Sequence, residues 1–211
     1  MDKQIIILAN SWKHGGRCVA GVEVEETKDN FQIICESYQR PYWIRPISRT
    51  DNGELSLSLV QSIEMLSIVS LINAQSKPMG YQSENFTFDE LKIIGNISQN
   101  EQNLDLLLDK SHATIFGNSG KAVHQDHINS LDYSLMLIKP TCFSGVRTTN
   151  ARGNCQFRGN FQYNNVIYDL PITDPTYKIG CENNKMIYLS LSLGTLFSGY
   201  HYKLIAGVIA V

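Results

Sequence analysis

The stretch Gln4-Ile5-Ile6-Ile7-Leu8-Ala9-Asn10-Ser11-Trp12-Lys13-His14-Gly15-Gly16-Arg17-Cys18-Val19-Ala20-Gly21-Val22-Glu23-Val24 decides the fold class. Two runs rich in β-branched residues, 4–9 and 17–24, flank a polar segment with two glycines, the pattern of two strands and a tight connection. In the second run Val22 and Val24 alternate with Glu23 and Glu25, as expected where one strand face is buried and the other wet. Similar runs follow at 31–35 and 42–47, bounded by Gly, Asn, Asp or Pro, so the chain opens as a meander. Residues 63–72 are read as a further strand, although Ile63, Leu66 and Val69 also suit helical spacing.

The character changes over 77–129. Phe88, Leu91 and Ile94 recur at spacing three, and Leu104, Leu107 and Leu108 form an apolar face behind acidic residues. Two short helices are expected there, with Thr87 and Asn100 as N-caps. The polar stretch 117–129 reads as a linker or a binding loop. Strands return at 133–138, 142–148, 155–163, 166–170, 186–193 and 202–211. Asn164-Asn165 reads as a two-residue hairpin turn, because asparagine tolerates positive φ. Two β groups flank one helical group, dividing the chain into 1–80, 81–130 and 131–211.

A length of 211 residues permits one large domain or two small ones. With 18 Lys+Arg against 20 Asp+Glu the formal charge is -2, so any nucleic-acid surface must be a local patch. Hydrophobic residues at 43% and charged residues at 18% fit a packed chain and exclude disorder. The cysteines Cys18, Cys35, Cys142, Cys155 and Cys181 form no C-x-x-C pair, which fits reduced thiols. The opening apolar stretch is short for a signal segment, and no apolar run approaches the ~20 residues of a membrane span. A cytoplasmic location without membrane contact is expected.

Ala9-Asn10-Ser11-x-Lys13-His14, Cys18-Val19-Ala20-Gly21, Trp43-Ile44-Arg45-Pro46-Ile47-Ser48, Thr173-Asp174-Pro175, Ser192-Leu193-Gly194 and Tyr202-Lys203-Leu204-Ile205-Ala206 occur in that order. The set resembles the dual OB-containing domain family of prokaryotic immunity and conflict loci, from the first strand to the last. The resemblance implies a mainly β (α+β) chain of two OB-like barrels joined by a short helical segment. OB barrels often carry oligonucleotides or oligosaccharides, laying bases on aromatic rings beside a basic groove. It also implies a sensor or specificity component of an antiviral defence system, with an effector protein as a partner.

Five groups of residues are candidates for ligand contact. Lys13, His14 and Arg17 flank Gly15-Gly16, so the backbone can approach an anion closely while the side chains donate to phosphate; ordinary cations on a β-turn are the alternative. Trp43 and Arg45 share a strand face with Ser48 in the following turn. Arg45 is read as a ligand contact, and Trp43 as either packing or stacking. Arg147, Arg152 and Arg158 interleave with Phe157, Phe161 and Tyr163, where the aromatics also suit a half-buried strand. Asp174 caps a helix starting at Pro175, or accepts a hydrogen bond from a base or ribose near Lys203 or Arg45. Lys203 completes the set.

His124 and His127, with Asp126 between them and His112 upstream, invite a metal reading, but no H-E-x-x-H helix or nearby cysteine supports it, and no metal or cofactor is expected. G-x-S-x-G and the Walker pattern are absent. Binding of a nucleic acid or nucleotide is therefore the leading expectation. A scaffold for a partner enzyme is the first alternative, motivated by the slightly acidic charge and by the apolar terminal strand 202–211, which is either interior to its sheet or pairs with another chain. A nucleotide-processing enzyme using His14 and Asp174 is the second.

Overall fold

A computed structural model of the chain describes residues 1–27, 31–36, 40–149 and 153–211. The first sheet contains β1 (Lys3–Lys13), β2 (Gly16–Glu26), β3 (Phe31–Ile33), β4 (Trp43–Pro46), β5 (Ser67–Ile72), β6 (Gln75–Ser76), β7 (Asn85–Thr87) and β8 (Glu90–Asn96). They run in the order β6-β7-β4-β2-β1-β5-β8, with β3 attached to β2. The second contains β9 (Ala122–His124), β10 (Leu135–Ile138), β11 (Cys142–Thr149), β12 (Cys155–Tyr163), β13 (Val166–Ile172), β14 (Ile187–Phe197) and β15 (Tyr200–Ala210). Its order is β10-β14-β15-β13-β12-β11, with β9 on β15. Helix is confined to α1 (Leu57–Val60), α2 (Glu101–Leu106) and short 3-10 turns. The chain is thus mainly β, its two curled sheets forming two OB-like barrels.

Turn chemistry sets the registers. β1 passes to β2 through His14 (φ 44°) and Gly15 (φ 82°), with Lys13 opposite Gly16. Positive φ at both central residues is the type I′ geometry, whose twist matches that of the strands. Asn164-Asn165 joins β12 to β13 in the same way, as its composition implies, and Ser198-Gly199 joins β14 to β15.

The unbroken apolar run in β1 is explained by burial on both faces. Ile5 and Ile7 pack with Val19, Ile44 and Val69 inside the first barrel. Ile6 and Leu8 pack instead with Trp43, Leu135, Tyr188 and Ala206, a core shared by the two barrels. There β1 nearly touches β14 and β15: Ser190 Oγ of β14 donates to the Leu8 carbonyl, and a Cβ added to Gly207 of β15 would lie 2.5 Å from that oxygen. Trp12 N donates to the Thr173 carbonyl at 3.0 Å, a backbone link between the barrels.

Several local expectations are corrected. The segment holding Leu91 and Ile94 is β8, not a helix; it pairs with β5 along its length, and this pairing, with the strand preference of β-branched Ile93 and Ile94, overrides the spacing-three pattern of Phe88, Leu91 and Ile94. Thr87 consequently ends β7 and caps nothing, whereas Asn100 does cap α2, accepting from Asn103 N at 2.9 Å. The strand in 63–72 begins only at Ser67. The segment 117–129 is not a free linker, since β9 pairs with β15. Of the two placements open for the terminal strand the interior one holds: β15 lies between β14 and β13. After Asp174 the chain turns without forming a helix.

Candidate functional site

The β1–β2 hairpin tip leans over the second barrel, and a cleft of about 210 Å³ opens between them. Period two puts Ser11, Lys13 and Cys18 on one hairpin face, which lines this cleft. His14 and Trp12 form its rim, Arg45 and Gln82 come from elsewhere in the first barrel, and Ser192, Leu193, Gly194, Thr195 and Leu204 form the opposite wall. Lys13, His14, Arg45 and the Ser192-Leu193-Gly194 motif, scattered in sequence, therefore meet in one place.

Two cations of different character stand there. Lys13 is half-buried, and its side chain makes no hydrogen bond or ion pair among the described residues. Burial pushes its pKa below the ordinary lysine value, and the Arg45 charge adds to that shift, while Cys18 and Glu54 pull the other way. Arg45 is 1% exposed and anchored at both terminal nitrogens, donating to Asn85 Oδ1 at 3.1 Å and Ser134 Oγ at 2.9 Å. Ser134 Oγ in turn donates to Glu84 at 2.9 Å. Arg45 is thus a fixed positive charge at the cleft floor, and Lys13 is the cation with donors to spare.

The other sequence candidates do not line the cleft. Arg17 projects from the opposite hairpin face, its guanidinium 3.6 Å over the Trp12 ring. Trp43 is wholly buried between the barrels. Ser48 bonds Thr50 Oγ1 at 2.7 Å in an exposed turn. Arg158 is held by Asp169, with Nε at 2.7 Å from Oδ1, and that bond lowers the Asp169 pKa. Arg152 lies outside the described residues. Asp174 accepts from Thr176 N at 2.8 Å and Val208 N at 3.0 Å, pinning a turn and β15. Lys203 points inward and donates to the Asn118 carbonyl at 2.7 Å and Asn118 Oδ1 at 2.9 Å; burial lowers its pKa to about 7. His14 lines the cleft and Asp174 does not, so the acid–base pair considered from sequence is not assembled there.

Sequence reading missed part of the wall. Tyr81 Oη donates to the Gly194 carbonyl at 2.8 Å, and His201 Nδ1 lies 3.0 Å from both oxygens. This bridge from the first barrel to β14 fixes Gln82 beside the cleft. Burial pushes the Tyr81 hydroxyl up to about 12, so it stays a donor. Polar Tyr81-Gln82 in a loop carries no signal by itself; only the packing of the barrels gives it a role. Among the described residues, no helix is long and apolar enough to cross a membrane.

A family model described as the dual OB-containing domain matches residues 3–208. No curated protein matches the chain. Similar solved structures include the Ifi202 HINa domain in complex with 20bp dsDNA, at 11% identity and TM-score 0.36, covering 97% of this chain and 91% of that one. A murine DNA binding protein bound with ds DNA is similar at 9% identity and TM-score 0.34, covering 100% and 98%. At such identities and scores these likenesses carry no argument about ligand or mode of binding.

Proposed function

The chain belongs to the dual OB-containing domain family, and from that premise we propose that it binds a nucleic acid or nucleotide through the inter-barrel cleft. The observation that carries the reading is Lys13: a half-buried, unpartnered ammonium in a cleft that also holds a fixed guanidinium. Leaving a desolvated cation without a partner is unfavourable unless an anion completes it, and a phosphate is the anion suited to a lysine point charge. His14 adds a donor at the rim, and the exposed backbone of Gly15 lets a phosphate approach closely. Within this reading the chain serves as the sensor or specificity component of a prokaryotic defence system, with an effector enzyme as its output partner. What supports that setting is the resemblance carried by the motifs of the sequence, which implies it.

The test is fluorescence anisotropy of labelled single-stranded and double-stranded oligonucleotides at low and physiological salt. Binding that weakens with salt is expected, and Lys13→Ala should lower affinity while reducing the salt slope by about 1. Failure of all oligonucleotides and mononucleotides to bind, or an unchanged affinity in Lys13→Ala, counts against the cleft.

A further inference from the structure

The outward face of the β14–β15 hairpin carries a row of uncovered rings. Phe197, Tyr200 and Tyr202 are 58%, 43% and 41% exposed. Their centroids are spaced at 6.4 Å between Tyr200 and Tyr202 and 6.3 Å between Phe197 and Tyr202. His124 extends the row, 5.0 Å edge-on to Tyr200, with His127 6.3 Å beyond it. Asp126 lies 3.3 Å from His124 and is the carboxylate in contact with that end.

Strand period ties this row to the cleft. Tyr200, Tyr202 and Leu204 share the outward face of β15, while His201, Lys203 and Ile205 point in. Leu204 lines the cleft opposite Lys13, so the rings lead along one face to the unpartnered cation.

Burying such rings in the barrel would be the ordinary outcome for a strand of this composition, and here three stay in solvent. Rings in series that end at a free cation match the requirements of a single strand, whose bases stack while its phosphates seek positive charge. A duplex, whose bases are already stacked, offers no faces to these rings. Resting on the cleft reading above, we propose that Phe197, Tyr200 and Tyr202 form a base-stacking platform that lays a single-stranded nucleic acid along the β14–β15 hairpin and delivers a phosphate to Lys13.

The test compares the full chain with Tyr202→Ala, Phe197→Ala and Lys13→Ala by anisotropy. The probes are an oligothymidylate about 12 nucleotides long, within the span of OB sites, and an abasic strand of equal length. The native chain should prefer the strand with bases. Tyr202→Ala and Phe197→Ala should each weaken that strand at least about fivefold, the lower end of what one stacked base contributes, and leave the abasic strand unchanged. Lys13→Ala should weaken both. Equal binding of both strands, unaffected by Tyr202→Ala yet weakened by Lys13→Ala, overturns the platform and keeps the cleft; the rings would then belong to a protein contact. Binding of neither strand overturns the platform, and the cleft reading is then decided by duplexes and mononucleotides.

Discussion

Arg40 Nε donates to Asp109 Oδ2 at 3.1 Å, and this buried pair joins the first barrel to the segment that leads into the second. The same guanidinium donates to the Leu135 carbonyl at 3.0 Å and lies 4.5 Å over the Tyr133 ring. Asp109 also receives Ser111 Oγ at 2.9 Å and contacts His112 Nδ1 at 3.0 Å. Removing Asp109 takes one of three carboxylates from Arg40, which keeps Glu36 at 3.2 Å and Glu84 at 3.9 Å, and strips Ser111 and His112 of their shared acceptor. Asp109→Ala should cost about 2 kcal/mol in chemical denaturation, the scale of a lost hydrogen bond to a charged group. Burial raises the Asp109 pKa, but His112, Ser111 and Arg40 outweigh it, so the net shift is downward. A carboxylate depressed on folding contributes stability above its unfolded pKa of about 3.9, lost as pH falls through the folded value. The acid branch of the stability profile should flatten in Asp109→Asn; an unchanged branch would assign acid unfolding elsewhere.

Lys203 gives the opposite window. Its folded pKa of about 7 lies below the ordinary lysine value, so above pH 7 the unfolded chain holds a proton that the folded chain has released. Stability from this group is then lowest at and below neutrality, and rises with pH until the unfolded lysine also titrates near 10.4. Lys203→Met should remove this slope, up to about 1.4 kcal/mol per pH unit, in denaturation curves between pH 7 and 10. The Asn118 carbonyl keeps the Tyr168 hydroxyl at 3.4 Å as a partner. Parallel slopes in the native chain and the variant would mean that Lys203 stays charged in the fold.

How far the sequence carried these conclusions depended on whether local chemistry or long-range packing decides. The Asn164-Asn165 turn and the Asn100 cap were legible because each satisfies its own backbone. The strand β8 was not, since Phe88, Leu91 and Ile94 follow helical spacing and only pairing with β5 overrides it. Lys203 was expected at a ligand, yet alternation already groups it with His201 and Ile205; what sequence lacks is which face turns inward. For the cleft, Lys13 and His14 were found together at the hairpin tip and Arg45 apart from them. Their meeting with Gln82 and Gly194 is a product of barrel docking, which no local pattern encodes.

That docking should be sensitive at Gly207. A Cβ there would meet the Leu8 carbonyl oxygen at 2.5 Å and Met65 Cε at 2.8 Å. The methionine can swing aside, but the backbone of β1 cannot move without disturbing its pairing with β2 and β5. Gly207→Ala should destabilise by about 1–3 kcal/mol, the scale of overpacking. Thermal unfolding measures it, and a native-like Tm would show that β1 and β15 have more room than their spacing implies.

Gly15 separates turn geometry from turn contacts. An added Cβ meets nothing within 4 Å, so a substitution there is penalised only for its φ of 82°. Gly15→Ala should cost about 1 kcal/mol, the left-handed penalty for an ordinary residue, and Gly15→Asn less, because asparagine enters that region more easily. Lys13 is the residue before this turn, placed opposite Gly16 by the same register. If the cleft holds phosphate through Lys13, Gly15→Ala should weaken oligonucleotide binding more than Gly15→Asn, in step with the loss of turn order. Amide exchange at Gly16 and anisotropy on the same samples would read both. Equal affinities in the two variants, despite different exchange, would detach ligand binding from the hairpin tip.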